Sequence, residues 1–253
     1  MIYYFSGTGN SKTIALRLAT MCQEKTACIT TIRNNYREDK VLGFVFPVYA
    51  WGLPKVMRQF IQQLKRHQLP LYTFMVCTCG DDIGYTEKEI RLLLSQKGIL
   101  LNAAWSIRMP NTYVVLPGFD IDTPSLTQKK LTHAWAKIEE IAHQINRRNK
   151  DVIDIHPGPF PFIKSRVLRP LFNRFLTGDN KFRSNDSCIH CGICTTVCPM
   201  ENIHLNDNGN PVWNGNCTNC MACYHNCPQH AIDFGPFTKN KGQYLINKYY
   251  KKK

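Results

Sequence analysis

Eight of the twelve cysteines fall between Cys188 and Cys227, and their spacing is chemically specific. Cys188-x2-Cys191-x2-Cys194-x3-Cys198-Pro199 recurs as Cys217-x2-Cys220-x2-Cys223-x3-Cys227-Pro228, every cysteine displaced by 29 residues. Three thiolates at two-residue spacing on one tight loop grip three corners of a small cage, and the fourth ligand must come from elsewhere. Zinc also accepts four thiolates in a tetrahedron. Its ribbons, however, usually pair two C-x2-C hooks across a longer spacer, so the crowding of three cysteines on one loop favours iron–sulfur. The repeat continues past the prolines, with Ile203 and Ile232 in equivalent places, and predicts two pseudo-equivalent halves around a shared core.

A second chemical constellation opens the chain. Ile2-Tyr-Tyr-Phe5 runs into Ser6-Gly7-Thr8-Gly9-Asn10-Ser11, followed by a helical pattern through Ile14 and Leu18. Hydroxyls and an amide supply donors, two glycines let backbone come close, and a helix N-terminus favours an anion. Together these residues form a phosphate cradle. The same types also make an ordinary polar turn and helix cap. A Walker loop fails on spacing, since no Gly stands immediately before Lys12 nor another five residues before that, and the dinucleotide pattern fails because Lys12 stands where its third Gly belongs.

Two hundred and fifty-three residues suffice for one large domain or two modest ones. With 43% hydrophobic and 20% charged residues, the composition is that of an ordinary globular protein. No apolar run is long enough to span a bilayer and no signal-peptide pattern opens the chain, so a cytoplasmic location is expected. In a reducing compartment clustered cysteines argue for metal ligation over disulfides. The net charge is +14, yet from Cys188 to Phe237 there is no Lys or Arg at all. Basic residues gather beside that module, in Lys164, Arg166, Arg169, Arg174, Lys181 and Arg183, and in the tail Lys251-Lys252-Lys253. No nucleic-acid reading motif accompanies them, so nucleic acid is not expected as a partner. Compensation of anionic cofactors and an acidic partner surface explain the charge better.

The elements that must position these groups follow from hydrophobic patterning. Apolar runs at Ile2 to Phe5, Ala27 to Ile29, Val41 to Val48, Tyr72 to Cys77 and Leu100 to Ile107 alternate with helical stretches at Pro54 to Lys65, Thr86 to Gln96 and Ser125 to Arg148. Strands without polar alternation, interleaved with amphipathic helices, predict an α/β fold with a five-stranded parallel sheet covered on both faces. Ligands of such sheets sit at the carboxyl ends of the strands. The expected division is 1–150 for this domain, 151–183 for a basic connecting segment, 184–237 for the cysteine module and 238–253 for a basic tail. His156-Pro-Gly-Pro-Phe-Pro161 should be extended, and the basic, apolar stretch from Lys164 to Leu176 reads as a packing strap, a membrane-surface segment or a linker.

Phe5-Ser-Gly-Thr-Gly-Asn-Ser11 resembles the FMN-phosphate loop of flavodoxins, hydroxyl for hydroxyl at Ser6, Thr8 and Ser11. The resemblance implies a doubly wound, flavodoxin-like sheet and FMN held by Ser6, Gly7, Thr8, Gly9, Asn10 and Ser11. It also implies that two later loops wrap the flavin ring. The first, Pro47 to Pro54, carries Tyr49, Trp51 and Gly52; the second, Thr78 to Asp82, carries Cys79, Gly80 and Asp81. Aromatics beside strands otherwise serve as packing, and Cys79 otherwise as a small buried thiol. Flavodoxin carriers are commonly acidic, whereas this domain is basic.

From Asp186 to about Phe234 the chain is similar to bacterial two-cluster ferredoxins, a small α+β fold. In that pattern the proline-terminated cysteine of each repeat crosses to the other cluster. The implied sets for two 4Fe–4S clusters are Cys188, Cys191, Cys194 and Cys227, and Cys217, Cys220, Cys223 and Cys198. The whole arrangement resembles the flavodoxin–ferredoxin fusion family of anaerobic bacteria and archaea. It implies an electron-transfer flavo-iron–sulfur protein with protein redox donors and acceptors and no transmembrane segment, in peripheral contact with a membrane at most. The alternative is an FMN-dependent reductase of a small organic substrate, for which Tyr85, His133 and Tyr113 are candidate proton donors. A third is a binding module that keeps the clusters for structure and has lost FMN.

Overall fold

The computed structural model describes residues 1–32, 40–64 and 69–249. Lys65, at the expected end of the second helix, and the Lys251-Lys252-Lys253 tail lie outside the described residues. The described chain forms two compact units, one of Met1–Ser6, Asn10–Met109 and Lys129–Phe175, the other of Gly7–Gly9, Pro110–Gln128 and Leu176–Lys253. Pro110–Gln128, inside the span expected for the first domain, is thus grouped with the cysteine module.

The first unit is built on a parallel sheet. Its strands are β1 (Ile2–Tyr4), β2 (Thr26–Cys28), β3 (Val41–Pro47), β4 (Tyr72–Cys79), β5 (Ala103–Arg108) and β6 (Val152–Asp154), in the order β2-β1-β3-β4-β5-β6. All five pairings are parallel. The crossovers run through α1 (Asn10–Cys22), α2 (Lys55–Gln63), α3 (Thr86–Ser95) and α4 (Pro124–Asn146). β3 and β4 are central and read as unbroken apolar runs, because both faces are covered. α2 buries Met57, Phe60 and Ile61 on one side, and α3 carries Glu87 and Glu89 in its first turn, where the helix dipole favours acid.

The sheet has six strands, not the five expected. β6 was missed because it is short and sits at an edge: Ile153 is 57% exposed, so no hydrophobic run marks it. It is held by its ladder to β5 and by Lys137 of α4, which pairs with Asp154.

After β6 the chain reaches a π-helical turn (Ile163–Leu168) that continues into α5 (Arg169–Phe175). Pro170 has no N–H to donate, and a wider turn before it accommodates that loss.

In the second unit the elements are short: β7 (Phe182–Ser184), α6 (Ile193–Val197), β8 (Ile203–Leu205), β9 (Pro211–Trp213), α7 (Ala222–Asn226) and β10 (Ile232–Phe234). β7 pairs antiparallel with β10, and β8 with β9. Val114, Val115, Phe182, Tyr224, Ile232 and Phe234 form the centre of its core, with four of the cysteines packed against the edge.

Candidate redox centres

The 29-residue repeat is a structural repeat as well. α6 and α7 start and stop at equivalent positions, as do β8 and β10 at Ile203 and Ile232. Equivalent residues also share unusual backbone conformations: His190 and Asn219 (φ 55° and 53°), Gly192 and Met221 (71° and 59°), Glu201 and His230 (49° and 51°). A left-handed residue other than Gly costs on the order of 1 kcal/mol or more, so the surrounding structure must enforce each of these. All of them flank cysteines, and the effect is to wrap each loop around a central space.

Two cavities result. One is lined by Cys188, Cys191, Cys194 and Cys227, with Leu205 and Ile232. The other is lined by Cys198, Cys217, Cys220 and Cys223, with Phe182 and Trp213. Each cavity therefore draws three cysteines from one repeat and the proline-terminated cysteine from the other. A cage of iron and sulfide takes thiolates at its corners. Backbone amides face the sulfurs symmetrically: Asn202 N–H donates to Cys198 Sγ at 3.4 Å and its counterpart Ala231 N–H to Cys227 Sγ at 3.2 Å, with Asn219 N–H on Cys217 Sγ at 3.3 Å. Such donors stabilise thiolate charge and raise cluster potential. The two sites differ in access, since Cys191 is exposed while Cys223 is buried.

His225 braces the second motif. It is 1% exposed, its Nδ1 accepts from Tyr244 N–H at 3.1 Å, and its Nε2 therefore carries the proton and donates to the Thr112 carbonyl at 2.9 Å. Burial pushes its pKa down to about 4, holding the ring neutral.

The expected flavin loops follow β1, β3 and β4 in the chain, and Gly7–Gly9 of the first of them are grouped with the second unit. Gly9 adopts φ +101° just before α1 begins at Asn10, a conformation that glycine tolerates and that turns the loop into the helix. The first turn of α1 holds no acid, so its dipole is free to favour a phosphate. Ser11 is buried and its hydroxyl is hydrogen-bonded to Thr78 Oγ1 at 2.8 Å, which ties the cradle to the end of β4.

After β3, Tyr49 and Gly52 exchange two backbone hydrogen bonds of 3.0 and 3.2 Å, closing a turn whose central residues Ala50 and Trp51 both have positive φ. That is the geometry of a type I′ turn, normally filled by Asn and Gly. Two non-glycine residues, Ala50 and Trp51, held there are strain stored where the fold places ligands. Tyr49 packs edge-on to Phe5. Gly52 does not face open space: both its backbone polar groups are used by Tyr49, and a side chain there would overlap the Arg169 guanidinium. Cys79, the last residue of β4, is buried and burial pushes its thiol up to about 12, while Gly80 after it is half-buried and Asp81 exposed. Of the candidate proton donors, His133 is exposed on α4 and Tyr113 belongs to the second unit.

The residues that sequence reasoning missed are those that tie these loops together. Ser165 Oγ donates to the Trp51 carbonyl at 3.0 Å and accepts from Tyr85 N–H at 2.8 Å. Lys164 binds Asp82 at 2.5 Å, and Arg169 donates to the Leu53 carbonyl at 2.7 Å and pairs with Glu89. Their partners lie 80 to 116 residues away in sequence, and no local pattern announces them.

Comparison with known families agrees with this architecture. A family model described as "Flavodoxin domain" matches residues 1–107, and one described as "4Fe-4S dicluster domain" matches residues 180–239. No curated protein matches the chain. The chain is a flavodoxin–ferredoxin fusion, an electron-transfer protein of the flavin and iron–sulfur type. Its cofactors are FMN and 4Fe–4S clusters.

Proposed function

We propose that this protein relays electrons between two 4Fe–4S clusters and one FMN and passes them to a protein redox partner in the cytoplasm. Clusters carry single electrons, whereas FMN takes one or two, so the pair joins one-electron and two-electron chemistry. The observation that carries the reading is the sorting of eight cysteines into two four-thiol cavities in a chain that also has the flavodoxin sheet. The proposed ligands are Cys188, Cys191, Cys194 and Cys227 for one cluster and Cys198, Cys217, Cys220 and Cys223 for the other. Ser6 to Ser11 would hold the FMN phosphate, and the loops of Tyr49 to Gly52 and Cys79 to Asp81 would flank the ring.

Exchange with a protein needs a cluster edge near the surface. The first motif offers one: Cys191 is exposed, and beside it Ile189 and Ile193 are 57% and 37% exposed. An apolar rim without charge suits transient docking of a carrier.

Anaerobic purification with cluster reconstitution, followed by iron, sulfide and flavin quantification on one sample, tests the assignment. About eight irons and one FMN per chain are expected. Eight irons with no flavin, even after FMN is added, would refute the flavin half.

A further inference from the structure

The segment from Phe160 to Phe175 turns the usual helix arrangement inside out. Its polar groups face the protein: Lys164 on Asp82, Ser165 on Trp51 and Tyr85, Arg169 on Leu53 and Glu89. Its apolar groups face solvent. Ile163, Val167, Leu171 and Phe175, spaced by four residues along one side, are 47%, 48%, 53% and 61% exposed, and Phe160 and Phe162 extend the patch at 72% and 58%. Fold stability does not ask for this, since a surface helix normally buries that stripe. Contiguous exposed apolar surface on this scale marks a docking site.

The charges on the patch say what it docks to. Arg166 and Arg174 are exposed on the same segment, and there is no Asp or Glu between Asp154 and Asp179. A second copy meeting this face symmetrically would bring arginines against arginines with no acid on the face to neutralise them. An anionic lipid surface satisfies both features, taking phenylalanine and leucine into the acyl boundary and guanidinium groups at the phosphates. No helix among the described residues is long and apolar enough to cross a membrane, so the contact lies in the plane of the interface.

We propose that the outward face of Ile163–Phe175 docks the protein on an anionic bilayer. The contact does not depend on either cofactor.

The test is cosedimentation of the full chain with phosphatidylcholine vesicles, with and without about 30 mol% phosphatidylglycerol, at about 0.1 M salt. Two arginines near a charged surface should give roughly 30-fold tighter binding to the anionic vesicles. Raising the salt should weaken the wild type. Leu171→Glu should abolish binding with its melting curve unchanged, because the side chain is solvent-facing. The double variant Arg166→Gln/Arg174→Gln should reduce anionic vesicles to the level of neutral ones. The proposal is overturned if the wild type ignores phosphatidylglycerol, if Leu171→Glu binds as well as wild type, or if light scattering shows a dimer that Leu171→Glu dissolves while vesicles bind nothing.

Discussion

Replacing Gly52 by Ala probes how the first flavin loop is held. Gly52 has an ordinary backbone conformation, so the substitution introduces no φ strain. The added methyl would instead occupy the position of the Arg169 guanidinium. To make room, Arg169 must give up its bond to the Leu53 carbonyl, 2.7 Å, and its ion pair with Glu89. Both members of that pair are largely buried, with side chains 13% and 14% exposed, and Glu89 keeps Arg58 as a second partner. A charge-assisted hydrogen bond contributes about 1.5–3 kcal/mol, so displacement should cost about 3 kcal/mol in all. In an Arg169→Ala background the space is already open and the same glycine change should fall within about 0.5 kcal/mol of neutral. The coupling energy of the double-mutant cycle is then about 2–3 kcal/mol. Urea melts followed by tryptophan fluorescence would show a midpoint shift of roughly 1–2 M for the single variant. A coupling energy below about 0.5 kcal/mol would refute the argument that Arg169 fills the space beside Gly52.

Cys198→Ala should remove the cluster gripped by Cys217, Cys220 and Cys223 and leave the one gripped by Cys188, Cys191 and Cys194; electron paramagnetic resonance of the reduced protein distinguishes this from loss of the cluster in its own motif. Cys77 and Cys79 are buried and their thiols are raised, Cys79 to about 12, so iodoacetamide at pH 8 should label neither in the folded protein; rapid labelling detected by mass spectrometry would contradict that placement. His225→Phe removes the two hydrogen bonds that His225 makes, with Tyr244 N–H and with the Thr112 carbonyl, and should cost about 2–4 kcal/mol, measured by anaerobic denaturant unfolding of the cluster-loaded chain; a cost under about 0.5 kcal/mol would show the brace to be idle.

Much of this was legible in the sequence, for identifiable reasons. Cysteine spacing survives without any knowledge of packing, and β3 and β4 are buried on both faces, so their apolar runs stand out. β6 carries no such mark because an edge strand needs only a ladder. The positive φ at Ala50, Trp51 and Met221 is invisible because those residue types do not ask for it; tertiary contacts impose it. Val114 and Val115 fall in a span that local pattern assigns to the sheet domain, yet they complete the core around Phe182 and Phe234. Lys164, Ser165 and Arg169 looked like members of a basic run. Their roles emerge only with the acids and carbonyls that face them.

Electron capacity tests the central claim most directly. Anaerobic coulometric titration of the reconstituted chain, with optical detection of flavin and cluster bands, counts electrons taken up per molecule. Two clusters accepting one each and FMN accepting two predict about four electrons per chain. Uptake of about two electrons, with no flavin band to bleach, would contradict a flavin and iron–sulfur relay.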